Sequence, residues 1–337
     1  YIMNSVIIIA EAGVNHNGDL SLARKLVEEA AEAGADYVKF QTFKAESLVT
    51  KSAQKAAYQL KNSNDQDASQ FQMLKSLEMP YEWYFELRDY AHSLGIKFLS
   101  TGFDEKSIDF LDELGIDLHK IPSGEITNMP YLRHIARKGR RVILSTGMAN
   151  LTEVSDAIDV LIREGISKEN IRVLHCNTEY PTPMNDVNLK AMNKMKDVLG
   201  VEIGYSDHTL GIEVPIAAVA LGAKVIEKHF TLDKSMPGPD HIASLEPWEL
   251  KNMIKAIRNI ELAMSGTGIK EPSQSESKNI VIARRSIHIN KKITEDSILK
   301  EEDLIALRPG DGISPMDWNK VIGRKVTRDL MKFDKLL

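Results

Sequence analysis

Short apolar, β-branched runs recur along the chain, and most are followed by a stretch in which apolar residues return every three or four positions. The runs fall at residues 6–10, 37–40, 97–100, 118–121, 141–144, 171–174, 201–204 and 224–227. Helical patterns at 20–33, 108–114, 151–163 and 214–221 lie between them. Strands alternating with helices predict parallel βαβ units. Eight such units in about 265 residues predict an α/β fold of the (β/α)8 TIM-barrel type rather than an open doubly wound sheet. No G-x-G-x-x-G follows the first run, which speaks against a dinucleotide fold.

The regular spacing breaks twice. Residues 44–79 show no clean period, and stretches of that length inside a compact domain are usually lids or binding loops. After a helical pattern at 248–264, Ser265-Gly266-Thr267-Gly268 and a polar run to residue 279 read as a linker. The expected layout is a barrel over 1–265, a linker over 266–280 and a small β-rich unit over 281–337. The last has strand-like pieces at 286–289 and 304–307 and the turn Arg308-Pro309-Gly310-Asp311-Gly312.

The 337 residues, 43% hydrophobic and 27% charged, have the composition of an ordinary globular protein with a sizeable core. A net charge of −5 with both signs interspersed gives no footprint for nucleic acid. One cysteine, Cys176, excludes a disulfide framework and fits a reducing, cytoplasmic setting. The apolar run at 6–10 is too short for a signal peptide or a membrane span, and residues 1–5 carry no basic charge.

In such a barrel the chemistry sits at the C-terminal ends of the strands. Those ends read Glu11; Lys39 and Gln41; Ser100 and Thr101; Lys120 and Ser123; Ser145 and Thr146; His175 and Asn177; Ser206 and His208; Glu227 and His229. Lys39 and Lys120, with Ser123, Ser145 and Ser206 at comparable depth, suit an anionic, phosphorylated ligand; singly, each lysine reads as a solvated rim charge. His208 and His229 end neighbouring strands and suit a divalent metal completed by water or substrate. The competing reading is two satisfied histidines, and His16 and His175 are further candidates. Glu11 closes an apolar strand, where a free carboxylate is costly unless paired or used. It is a general base, a ligand of metal-bound water, or the ion-pair partner of Lys39.

Several stretches, in order, resemble the bacterial sialic acid synthases, including the legionaminic acid synthases. They are Ile9-Ala10-Glu11-Ala12-Gly13-Val14-Asn15-His16-Asn17-Gly18, Val38-Lys39-Phe40-Gln41-Thr42 and Lys120-Ile121-Pro122-Ser123-Gly124-Glu125. Leu144-Ser145-Thr146-Gly147-Met148, His175-Cys176-Asn177-Thr178-Glu179-Tyr180-Pro181, Ser206-Asp207-His208-Thr209, Glu227-Lys228-His229-Phe230-Thr231 and Pro237-Gly238-Pro239-Asp240-His241 continue the series. The turn at 308–314 is similar to that family's antifreeze-like (SAF) domain. The third strand departs from the pattern, with Gly102 where the family usually has proline, which is expected to loosen the turn after Thr101.

The resemblance implies condensation of phosphoenolpyruvate with an open-chain N-acetylated mannosamine and water, assisted by a divalent metal, Mn or Mg. It implies that His208 and His229 hold the metal. Lys39, Gln41, Thr101, Lys120, Ser123, Ser145, Asn177, Thr178 and Ser206 would bind substrate, while Glu11 and Glu227 handle protons. Tyr180 and Asp240 would meet the sugar, and Arg308 would reach its N-acetyl group from the partner of a domain-swapped homodimer. N-acetylneuraminate synthase is taken first. The alternative is N,N'-diacetyllegionaminate synthase, which uses 2,4-diacetamido-2,4,6-trideoxymannose; residues 44–79 would discriminate the two sugars. Remoter readings are a metal-dependent aldolase without phosphoenolpyruvate, which leaves the strand-end lysines without a task, and a sugar-binding scaffold with an independent C-terminal module.

Overall fold

A computed structural model describes residues 5–62 and 69–336; the residues before 5, including most of the expected charge-poor start, lie outside it. Eight parallel strands close in chain order: β1 (Ile7–Gly13), β2 (Tyr37–Thr42), β3 (Lys97–Gly102), β4 (Leu118–Ile121), β5 (Arg141–Ser145), β6 (Ile171–His175), β7 (Glu202–Asp207) and β8 (Val225–His229). β8 pairs with β1 and completes the ring. β1 runs further than the apolar pattern suggests because a bulge between Glu11 and Gly13 carries it past its polar residues. Gly13 takes φ +53°, which a side chain there would strain.

Side chains of a strand alternate between faces, so every second residue enters the barrel. Ile9, Tyr37, Leu99, Leu118, Ile143, Leu174 and Val225 form one apolar layer inside it. Two residues further along the same strands, Glu11, Lys39, Thr101, Lys120, Ser145, Cys176 and Glu227 line a cavity at the mouth. The opposite parity, including Ile8, Val38, Phe40, Phe98, Ile121, Val142, Val173 and Ile226, packs outward against the helices. The helix Leu20–Ala33 shows how these form. Asp19 caps its first turn by accepting from the Ser21 and Leu22 amides, Ala23, Leu26, Val27 and Ala30 make the buried stripe, and Gly34 ends it in the left-handed region.

Residues 44–79 hold three short helices, Ala45–Leu48, Ala57–Asn62 and Gln70–Leu77, before the crossover helix Tyr81–Ser93. Segments of 4, 6 and 8 residues are too short to display a helical period, so none shows in the sequence. Residues 63–68 of this stretch are outside the described residues.

A second unit begins at Gly266. It contains the antiparallel pair β9 (Ser286–Ile289) and β10 (Leu304–Leu307) over a core of Ile287, Ile289, Ile293, Leu299, Leu304, Val321, Val326 and Leu330. The expected linker over 266–280 needs correction. Part of it is the helix Gln274–Ala283, started by a Ser273–Glu276 capping box. Among the described residues no helix is long and apolar enough to cross a membrane.

Candidate active site at the barrel mouth

Four buried ionisable side chains form the cavity floor. Lys39 Nζ lies 2.9 Å from Glu11 Oε2 and 3.4 Å from Glu227 Oε2, and it donates to Thr101 Oγ1 at 2.9 Å. Lys120 Nζ is 3.6 Å from Glu227 and donates to Ser145 Oγ at 2.7 Å. Ser206 Oγ donates to Glu227 Oε1 at 2.8 Å, and Gln41 Nε2 to Glu11 Oε1 at 3.3 Å. The ion pair between Glu11 and Lys39 is therefore real, within a larger network. Burial pushes the Glu11 carboxyl up to about 7, with repulsion from Glu227 adding to it and Lys39 opposing it. Burial also disfavours charge on Glu227, but Lys120 and Lys39 outweigh it and hold that carboxyl below the usual range. One carboxyl thus keeps its proton near neutrality while its neighbour is ionised.

Above this floor, His208 and His229 stand with ring centroids 5.4 Å apart, and the Tyr180 ring lies 4.0 Å from His208. Burial lowers both imidazoles, His208 to about 4, so both are neutral near pH 7. The neutral His208 ring donates from Nδ1 to the Asn177 carbonyl, which leaves Nε2 with its lone pair. Nδ1 of His229 is buried with no hydrogen-bond partner, 3.8 Å from Asp240 Oδ2. Burial raises Asp240 to about 6. Among the described residues no three His, Cys, Asp or Glu side chains form a ready-made metal cage. The pair of neutral imidazoles could offer two nitrogen ligands to a divalent cation.

The cavity encloses about 600 Å³, within the range of roughly 300–1,000 Å³ usual for small-molecule sites. It brings together Glu11, Lys39, Gln41, Thr101, Lys120, Ser123, Ser145, Thr178, Tyr180, Ser206, His208, Glu227, His229 and Asp240. Asn177 and Arg308 are the two exceptions; for Asn177 the cause is local. Its side chain accepts from the Glu179 amide at 2.8 Å and holds the turn, so Thr178 lines the cavity instead. Arg308, in the second unit, is exposed. Ser123 Oγ accepts from the Gly147 amide at 2.9 Å. A Cβ on Gly147 would come within 2.4 Å of Thr178, so only glycine lets these loops meet. Thr101 is not loosened by Gly102: β3 continues through that residue, and Thr101 pairs with both Gln41 and Lys120. His16 accepts from the Gly18 amide and His175 bonds the Val187 carbonyl, so both are satisfied away from the cavity.

Sequence reasoning missed Glu125, on the short 3-10 turn Ser123–Glu125, and Leu48, Val49, Gln59, Gln70, Leu74 and Phe103. Most come from the insertion after β2. The only sequence signal for them was the length of that stretch.

Residues 26–270 match the NeuB family and residues 278–332 match the SAF domain. The chain belongs to the NeuB family. An N,N'-diacetyllegionaminic acid synthase of Campylobacter jejuni is 54% identical, over 99% of this chain and 99% of that protein. One from Legionella pneumophila is 51% identical, over 98% and 93%. The crystal structure of N-acetylneuraminic acid (sialic acid) synthetase from Leptospira borgpetersenii, in complex with citrate, is 35% identical with a TM-score of 0.71, over 82% of this chain and 90% of that one. The NeuB-family chain is thus a nonulosonate synthase with a TIM barrel and a SAF domain, as its sequence led one to expect. Behind the NeuB-family histidines, the outward residues Asp207 and Lys228 sit opposite each other on β7 and β8 and form a 2.6 Å ion pair with no solvent exposure. Lys228 also donates to the Thr209 carbonyl, and Thr209 Oγ1 donates to Asp207. This pins the backbone on either side of His208 and immediately before His229.

Proposed function

We propose that the chain condenses phosphoenolpyruvate with 2,4-diacetamido-2,4,6-trideoxymannose and water to give N,N'-diacetyllegionaminate and phosphate. Two relatives named for legionaminate synthesis share more than half their residues with it, against 35% for the sialic acid synthetase. That reverses the order in which the sequence ranked the two sugars; the chemistry is the same for both.

The observation that carries the chemistry is the floor of two lysines and two unlike carboxyls beneath a pair of neutral imidazoles. Lys39 and Lys120, with Ser123, Ser145 and Ser206, bind the carboxylate and phosphate of phosphoenolpyruvate by charge-assisted hydrogen bonds. C3 of phosphoenolpyruvate bonds to the aldehyde carbon of the open-chain sugar, and the oxygen of water bonds to C2. The bond from C2 to the phosphate oxygen breaks, leaving a ketone. Of the two water protons, one ends on the former aldehyde oxygen and one on the released phosphate. Glu11, protonated near neutrality, is placed to give a proton, and ionised Glu227 to accept one. Tyr180, Thr178 and Asp240 orient the sugar, and Gln41 and Thr101 hold the charged floor in place. The lone pair of His208 and the unpartnered Nδ1 of His229 fit a divalent cation, Mn or Mg, which would polarise the aldehyde as a Lewis acid. We also propose a cytoplasmic homodimer in which Arg308 of one subunit completes the site of the other.

The test is phosphate release from phosphoenolpyruvate with Mn, offering N-acetylmannosamine and the diacetamido sugar separately, each with a chelator control. Release that needs the diacetamido sugar and stops with chelation supports the proposal; release without any sugar, or none with either, overturns it. Lys39→Met is expected to lower kcat/KM for phosphoenolpyruvate by about 100-fold or more, because the charge it removes is buried. An undiminished variant would exclude Lys39 from the anion site.

A further inference from the structure

We infer that the helices inserted after β2 form the subsite that selects the far end of the sugar. In it Leu48, Val49 and Leu74 seat the C6 methyl, and Gln70 reads the second acetamido group. The inference rests on the proposed condensation and deepens it.

The two sides of the cavity differ in chemistry. The loops after β6, β7 and β8 supply Tyr180, His208, His229 and Asp240, the polar groups set for an aldehyde and hydroxyls. In an eight-stranded ring β2 stands across from β6, and β3 across from β7. A sugar with its aldehyde carbon at the histidines therefore extends its other end towards the loops after β2 and β3. That wall is apolar. Leu48, Leu74 and Phe103 pack on a cluster with Phe43 and Leu77 and also line the cavity, with Val49 beside them. Leu48, Val49 and Leu74 are only half-buried, which leaves apolar surface facing the cavity. Among the described residues the lining that this insertion supplies offers no charged group and no hydroxyl.

A 6-hydroxymethyl group against this wall would lose its hydrogen bonds to water, whereas a 6-methyl group loses none. An apolar pocket discriminates against an added hydroxyl only up to roughly 100-fold, so the second acetamido group supplies the remaining selectivity. Gln70 lines the same end and is hydrogen-bonded by its side chain to none of the described residues. Its carboxamide carries a donor and an acceptor, the complement of an acetamido C=O and N–H. Gln59 is less suited, since its carbonyl already accepts from the Ala56 amide at 2.9 Å.

The experiment measures kcat/KM for both sugars, at saturating phosphoenolpyruvate and Mn, in the wild type, Leu74→Asn and Gln70→Leu. Calorimetric binding of phosphoenolpyruvate serves as the check on folding, and Leu48→Asn replaces Leu74→Asn if that variant does not fold. The expected wild type prefers the diacetamido sugar. Each variant is expected to lower that preference by about tenfold or more, through KM for the diacetamido sugar rather than through kcat. A wild type that prefers the diacetamido sugar, with variants that keep the ratio, overturns the subsite while leaving the condensation standing. A wild type that turns over only N-acetylmannosamine overturns the sugar assignment and the subsite together.

Discussion

Glu11 shares one ammonium with Glu227, and that sharing sets its proton equilibrium. The folded chain holds the Glu11 proton up to about pH 7, while the unfolded chain gives it up near the ordinary glutamate value of 4.5. Between those values the native state binds more protons than the unfolded one, so stability falls as pH rises through the window. Glu11→Gln lacks this loss. Its melting temperature relative to wild type is expected to climb from pH 5 to pH 8, by the equivalent of at most about 3 kcal/mol. A difference that stays flat across that range would show that Glu11 ionises normally. Residues of this kind were legible in the sequence because period-two alternation places Glu11, Lys39, Lys120 and Glu227 on one face. Asn177 was misplaced because it lies beyond β6, where alternation no longer applies and a turn claims its carboxamide. Gln70 and Glu125 sit on short helical turns where no period exists to point at them.

At the scale of elements, β7 and β8, already paired through their backbones, are also tied by a contact on the side facing away from the cavity. Asp207 and Lys228 are each fully buried, and an ion pair so placed costs about 3–5 kcal/mol to break by removing one partner. Asp207→Asn and Lys228→Met are each expected to lower unfolding free energy in urea by that order. The double replacement should recover much of the loss, since no lone charge is left buried. Losses that simply add would show that the two side chains act independently. The elements themselves were read in order from alternating patterns, because a closed parallel sheet has apolar strands of nearly uniform length. Two were not. The helix Gln274–Ala283 has no buried residue, so no apolar stripe marked it. Of the short helices after β2, Ala45–Leu48 and Gln70–Leu77 pack through a handful of side chains, Leu48, Met73, Leu74 and Leu77, into the cluster with Phe43 and Phe103 rather than through a face of their own.

For the whole molecule, each unit has its own core. A fragment ending at Ser265 is expected to melt cooperatively yet to release little phosphate, because Arg308 belongs to the missing unit. A fully active fragment would remove Arg308 from the site, and one that fails to fold would show that the barrel depends on its appendage. The barrel and the division near residue 265 followed from pattern and composition, whereas the role proposed for Arg308 follows from neither. The molecule as a whole carries a net charge of −5 and is proposed to take a strongly anionic substrate. The floor of the cavity accounts for how this is managed. With Glu11 holding its proton near neutrality, only Glu227 offsets the two ammonium groups there, so the floor carries a surplus of positive charge inside a molecule of the opposite sign. What an entering anion meets is this local sign and not the net one, and losing either lysine would cancel it.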